Sequence, residues 1–201
     1  MTKNPTTLGF ILFLLTMVMF FVTYFFFSGV NYYDTTLKMN SFVLPFLYVL
    51  AAFWSVKSYW NNNSVVGFRT AFKRAFMPMF IGGLLSMLSI FAFLNFGDTA
   101  AKDLLNYQYV TQQKSELDNE YNKAKKLLKD ERDIADLEKK YQERIQSFSP
   151  ELVKDKDMLT FSHFSGYFAA ILIFYLVISL FFGAFFKTRY IEPLETETET
   201  N

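Results

Sequence analysis

Cysteine is absent and histidine occurs once, at His163. The first lack excludes disulfides, thiolate metal sites and a cysteine nucleophile. The second means that a zinc or haem site would need carboxylates or a second chain. Charge is missing from four long runs: Leu8–Phe27, Phe42–Val56, Met77–Phe96 and Phe161–Phe186 hold no Asp, Glu, Lys or Arg. Proton relays, ion-coupled transporters and intramembrane proteases place ionisable groups inside their spans, because the chemistry needs them there. The chain also lacks a Gly-rich phosphate loop and any HExxH or GxSxG motif. Its carboxylates have no apolar setting that would raise their pKa for acid catalysis. No catalytic residue, cofactor or metal is therefore assigned, and an enzyme acting alone is disfavoured. A formal net charge of +1 gives no bulk argument for nucleic acid.

What is present is apolar side chain. Of 201 residues, 52% are hydrophobic, 20% are aromatic and 26 are Phe, in unbroken blocks that a soluble domain rarely carries. Met77–Phe96 has twenty residues, or ~30 Å of helix at ~1.5 Å per residue, the thickness of a bilayer's hydrocarbon. The pattern predicts an all-α membrane protein with four transmembrane helices, over about 8–27, 42–59, 77–96 and 161–189. A secretory signal peptide is the competing reading of the first block, but its apolar core is too long and no A-x-A-like cleavage site follows. Thr16 and Thr23 can bond back to their own helix. Tyr32 and Tyr33, and then Tyr59 and Trp60, fall where aromatic belts would mark the two interfaces.

Ahead of the third block, Phe68, Phe72, Ala75, Phe76 and Met79 form a helical stripe, with Arg69, Lys73 and Arg74 mostly off it. The spacing predicts a short amphipathic helix over 67–76, lying in the headgroup layer and bending at Pro78. Its three bases are candidate contacts for lipid headgroups, although ordinary topology-setting charge is the favoured explanation. Gly82, Gly83 and Ser86 in the third span, and Ser162, Gly166, Ala170 and Gly183 in the fourth, are candidate helix-packing positions, since small residues let helices approach closely in lipid.

Residues 97–160 form a soluble insert with 12 basic and 14 acidic residues, finely interleaved. No Gly or Pro occurs from Asp98 to Ser149, which permits long helices. Leu127, Ile134, Tyr141 and Phe148 recur every seven residues, and Leu117, Tyr121, Ala124 and Leu128 form a second, offset stripe. The pattern is coiled-coil-like, and the first stripe is a candidate partner-facing surface. A new helix is expected at Ser149-Pro150. Residues 190–201 read as a disordered acidic tail.

Lys3, Lys57, Arg69, Lys73, Arg74, Lys187 and Arg189 share one side if all four blocks cross, against Lys38 alone in the opposite short loop. Cytosolic loops carry the excess of such bases. Both termini are then expected to be cytosolic and the insert extracytoplasmic, so the sequon Asn62-Asn63-Ser64 is a chance match. His163 lies at the outer end of the fourth block, where Asp98 and Asp103 could face it. It is either a pH sensor or an interfacial hydrogen-bonding residue.

Three features resemble a family of bacterial membrane proteins known as domain of unknown function 4199. They are the lead-in Gly67, Phe68, Ala71, Phe72 and Lys73 to a glycine-containing span, the Glu- and Lys-rich helical insert, and a closing helix with small residues from Phe161 to Gly166 that ends in Lys187. The resemblance implies four spans in a bacterial inner membrane and supplies no activity. The leading expectation is an accessory subunit whose insert binds an envelope protein or a second copy of the chain. The alternative is a transport or lipid-handling component using the Arg69–Arg74 face.

Overall fold

A computed structural model describes residues 4–29, 31–128, 130–148 and 157–188, and every regular element among them is helical. The helices are α1 (Pro5–Phe27), α2 (Tyr32–Lys38), α3 (Leu44–Trp60), α4 (Phe68–Ala92), α5 (Thr99–Leu127), α6 (Glu131–Gln146) and α7 (Phe161–Phe185). Wider π-helical turns occupy Met39–Val43 and Phe93–Gly97. Four stretches are long and apolar enough to cross a membrane: Pro5–Phe27, Tyr32–Trp60, Phe68–Gly97 and Phe161–Phe185. They mark a membrane protein. Lys3, Arg189, the helix start expected at Ser149-Pro150 and the acidic tail lie outside the described residues.

Two sequence expectations are corrected. The second span does not begin near Phe42: helix starts at Tyr32 and runs through the π-turn into α3. Pro45 cannot donate a backbone hydrogen bond one turn back, and its ring crowds the carbonyl there; a wider turn just before it accommodates the ring. Tyr32 is buried within the protein. Nor is there a separate amphipathic helix over 67–76. Phe68 to Ala92 is one helix with Pro78 inside it. Proline deprives the Arg74 carbonyl of its intrahelical partner. The Ser55 hydroxyl, from α3, donates to that carbonyl at 2.7 Å. In hydrocarbon a serine supplied by a neighbouring helix is what allows proline to stay within a span.

The chain divides into two compact units. The first draws on the described parts of Met1–Leu15, Leu44–Leu84 and Ala170–Asn201. Leu12, Tyr48, Ala52, Val56, Ala75 and Met79 are in its core. Glycine sets the helix spacing. A Cβ on Gly82 would stand 2.8 Å from the Leu12 Cβ and 3.1 Å from the Gly9 carbonyl oxygen. One on Gly83 would meet the Tyr175 hydroxyl at 2.6 Å, and one on Gly183 would meet the Phe68 ring at 2.9 Å. The Tyr48 and Tyr175 rings stack at 5.5 Å. Val66 and Thr188 close the unit with reciprocal bonds: the Thr188 N–H donates to the Val66 carbonyl at 3.0 Å, and the Val66 N–H to the Thr188 hydroxyl at 3.2 Å.

The second unit comprises Thr16–Val43 and Leu85–Ala169. Its core contains Tyr32, Leu94, Ala101, Leu105, Leu159 and Phe164. The Phe93 ring meets Phe20, Phe21 and Tyr24 edge-on at 5.5, 5.4 and 5.1 Å.

Ser55→Ala should orphan the Arg74 carbonyl and destabilise the fold by about 1–3 kcal/mol. Gly82→Val should cost about the same by overpacking against Leu12. Gly166→Ala, where no atom lies within 4 Å of an added Cβ, should leave stability unchanged or slightly raised. Thermal unfolding of the detergent-solubilised chain checks all three.

Candidate functional site

Two arrangements gather chemistry-bearing side chains. The first is a groove of about 500 Å³ in the first unit, lined by Pro5, Thr6, Arg69, Thr70, Lys73, Arg74 and Met77. The first turn of α1 forms one wall and the first turns of α4 the other. Asn4 caps α1, its side-chain oxygen accepting from the Thr6 N–H at 3.0 Å. Arg69 and Lys73 lie one turn apart and exposed. Arg74 is held: its guanidinium lies 3.8 Å over the Tyr59 ring. All three bases expected at headgroup depth are thus brought together, with a helix start and two threonines that the sequence did not indicate.

The second is the insert. It is a helical hairpin, not one helix. α5 ends at Leu127, Leu128 is extended, and the Asp130 carboxylate caps α6 by accepting from the Arg132 N–H at 2.9 Å. The heptad recurrence therefore does not lie along one helix. Leu127 is at the end of α5 and 81% exposed, Ile134 and Tyr141 are on α6, and Phe148 follows it in a turn. The offset stripe is what meets α6. Leu117, Tyr121 and Ala124 face Leu137 and Tyr141 across a cleft of about 440 Å³. The Tyr121 and Tyr141 rings stack at 4.3 Å. The Tyr141 hydroxyl donates to Asp118 at 2.7 Å, and the Tyr121 hydroxyl donates to Glu138. The Tyr121 hydroxyl holds the Glu138 carboxyl below its ordinary range, and Asp118 pushes the Tyr141 phenol up.

The base of α5 is tied down by polar side chains. Asp98 caps the helix by accepting from the Ala101 N–H at 3.2 Å, and its other oxygen accepts from the Tyr24 hydroxyl at 2.6 Å. The Gln108 amide accepts from the Tyr33 N–H at 2.7 Å and donates to the Gly29 carbonyl at 2.5 Å. Lys102 reaches Asp157 at 2.5 Å and Asn95 at 2.8 Å, with side-chain exposures of 18% for Lys102 and 25% for Asp157. Asn106 donates to Asp157 at 2.9 Å and accepts from the Met158 N–H at 3.1 Å. Burial opposes ionisation of Asp157, yet Lys102, Asn106 and the Leu159 N–H hold its carboxyl below the ordinary value. Nothing in the sequence pairs 102 with 157, because the contact spans the insert.

The bonds His163 makes are to its own segment rather than to Asp98 or Asp103. The His163 Nδ1 lies 2.9 Å from both the Thr160 hydroxyl and the Asp157 carbonyl oxygen, which closes the start of α7. The packing candidates separate. Gly82, Gly83 and Gly183 stand at close approaches and Ser86 is buried, whereas Ser162, Gly166 and Ala170 are exposed on α7. A Cβ on Gly166 would meet nothing within 4 Å, and no group of His, Asp or Glu among the described residues could hold a metal ion.

A family model described as "Protein of unknown function (DUF4199)" matches residues 7–188. The chain belongs to that family. No curated protein and no solved structure matches it.

Asp157→Asn leaves the Lys102 ammonium with a neutral partner. It should lower the unfolding temperature at pH 7, by the equivalent of about 1–3 kcal/mol. The folded-state pKa of Asp157 is depressed, so its contribution is complete above the unfolded value of about 3.9 and is lost as pH falls through the folded value. The gap between wild type and variant should therefore be full above about pH 4 and narrow progressively as pH falls below it. Thermal unfolding from pH 7 to 2.5 is the measurement.

Proposed function

We propose that this protein is a non-catalytic accessory protein of a bacterial cytoplasmic membrane, whose α5–α6 hairpin docks a partner on the outer side. One observation carries this reading: the hairpin has an open cleft with an apolar floor of Leu117, Ala124 and Leu137, framed by the stacked Tyr121 and Tyr141. Paired aromatic rings beside an apolar floor are the surface type from which interface hot spots are made. The Lys102–Asp157 and Gln108–Gly29 contacts hold the hairpin base. A partner would then meet a preorganised surface and spend little free energy ordering it.

The orientation rests on charge. The described part of the first unit contains Lys57, Arg69, Lys73, Arg74 and Lys187 and no Asp or Glu. Under the positive-inside rule that favours the cytosol for these residues and the opposite side for the hairpin. Because the chain has no cysteine, single thiols can be read without background. In intact cells a reagent that cannot cross the membrane should label Asp130→Cys and spare Thr70→Cys; the reverse pattern overturns the orientation. A photo-cross-linker at Leu137 or Tyr141 should trap one discrete adduct, an envelope protein or a second copy. That adduct should disappear with Tyr121→Ala. Absence of any adduct in the wild type sinks the docking role.

A further inference from the structure

The groove at the start of α1 and α4 is built from charges that work against each other. Arg69 and Lys73 are like charges at i and i+4, a spacing that destabilises a helix. Arg69 also lies in the first turn of α4, where the positive end of the helix dipole repels a cation. The start of α1 brings a second positive helix end to the opposite wall. No relief comes from acidic side chains: the described part of this unit has none, and neither Arg69 nor Lys73 has an ion-pair partner among the described residues. Topology-setting charge alone does not require this concentration, since bases anywhere along the short loops would serve.

We propose that this groove binds the phosphate of an anionic phospholipid headgroup through Arg69, Lys73 and Arg74. Charge-assisted hydrogen bonds from a guanidinium and an ammonium are the strong form of phosphate recognition. Arg74 is preorganised by Tyr59, and its backbone is fixed by Ser55. The Thr6 and Thr70 hydroxyls in the same lining can donate to the remaining phosphate oxygens. Below the cations the wall turns apolar at Met77, and Phe10, one turn along α1 from Thr6, is exposed. A charged rim over an apolar wall fits an amphiphile better than free phosphate. The site is separate from the hairpin, and its failure would leave the docking reading untouched.

The test is native mass spectrometry of the full chain in nanodiscs of phosphatidylcholine, with and without phosphatidylglycerol. Wild type should retain phosphatidylglycerol selectively. Arg69→Gln with Lys73→Gln should weaken retention by roughly tenfold or more, as expected for two lost charge-assisted bonds. The charge-preserving pair Arg69→Lys with Lys73→Arg should keep most of it. Lys57→Gln, which removes a base outside the groove, should change nothing. Equal loss with Lys57→Gln, or full retention by the Gln pair, overturns the site. Displacement of the lipid by millimolar inorganic phosphate overturns the lipid as the source of the phosphate. The acidic tail is the rival anion. If Glu195→Gln, Glu197→Gln and Glu199→Gln together lower the unfolding temperature as much as removing phosphatidylglycerol does, the tail fills the groove and the proposal fails.

Discussion

A buried backbone carbonyl without a partner costs about 1–3 kcal/mol, so an interrupted helix survives best where another group completes it. The bond from the Ser55 hydroxyl to the Arg74 carbonyl is that completion. With it, α4 runs through Pro78 as one helix, and the basic lead-in forms the first turns of that helix rather than a separate one. The orientation of Arg69, Lys73 and Arg74 is then set by the span's own register. The same bond fixes α3 against α4, so the Tyr59 ring lies where the Arg74 guanidinium can cover it. A proline that reads as a bend is, once satisfied from outside, what ties two helices together.

The spans were legible because twenty-residue apolar runs have no other stable home, and their bounds shift by only a few residues at most ends. The exceptions are the third span, which starts at Phe68 rather than Met77, and the second, which starts at Tyr32. Asp34 and Lys38 made the second span's first two turns look like a loop, although they lie at i and i+4 and pair with each other at 2.5 Å. The hairpin turn was harder to see. It contains neither Gly nor Pro, and a seven-residue spacing ran on across it by coincidence. The available signal was charge: Lys125 and Lys126 close α5, while Asp130, Glu131 and Asp133 open α6. Cations at a C-terminus followed directly by acids at an N-terminus are what the two helix dipoles require. The groove was half legible. Its three bases could be read from α4, but α1 is sixty residues away in sequence, and only folding brings Thr6 to them.

Charge is distributed very unevenly between the two units. The described part of the first carries bases alone, whereas the second balances acids with bases and connects them. A balanced network costs little to bury partly, because each desolvated group has a partner. An unbalanced set of cations is stable only while exposed to water or to an external anion. The second unit can therefore close its own electrostatics, whereas the described part of the first has no acid with which to do so.

That difference bears on what each part can do. In the second unit, Lys102 and Asp157 lie on opposite arms of the insert, one entering it from α5 and the other leaving it towards α7. Moving the hairpin away from its base would separate two charges that are each only about a fifth to a quarter exposed. Breaking such a partly buried pair leaves two poorly solvated ions, a larger penalty than the pair's own net stabilisation. The junction thus resists bending more strongly than it favours folding.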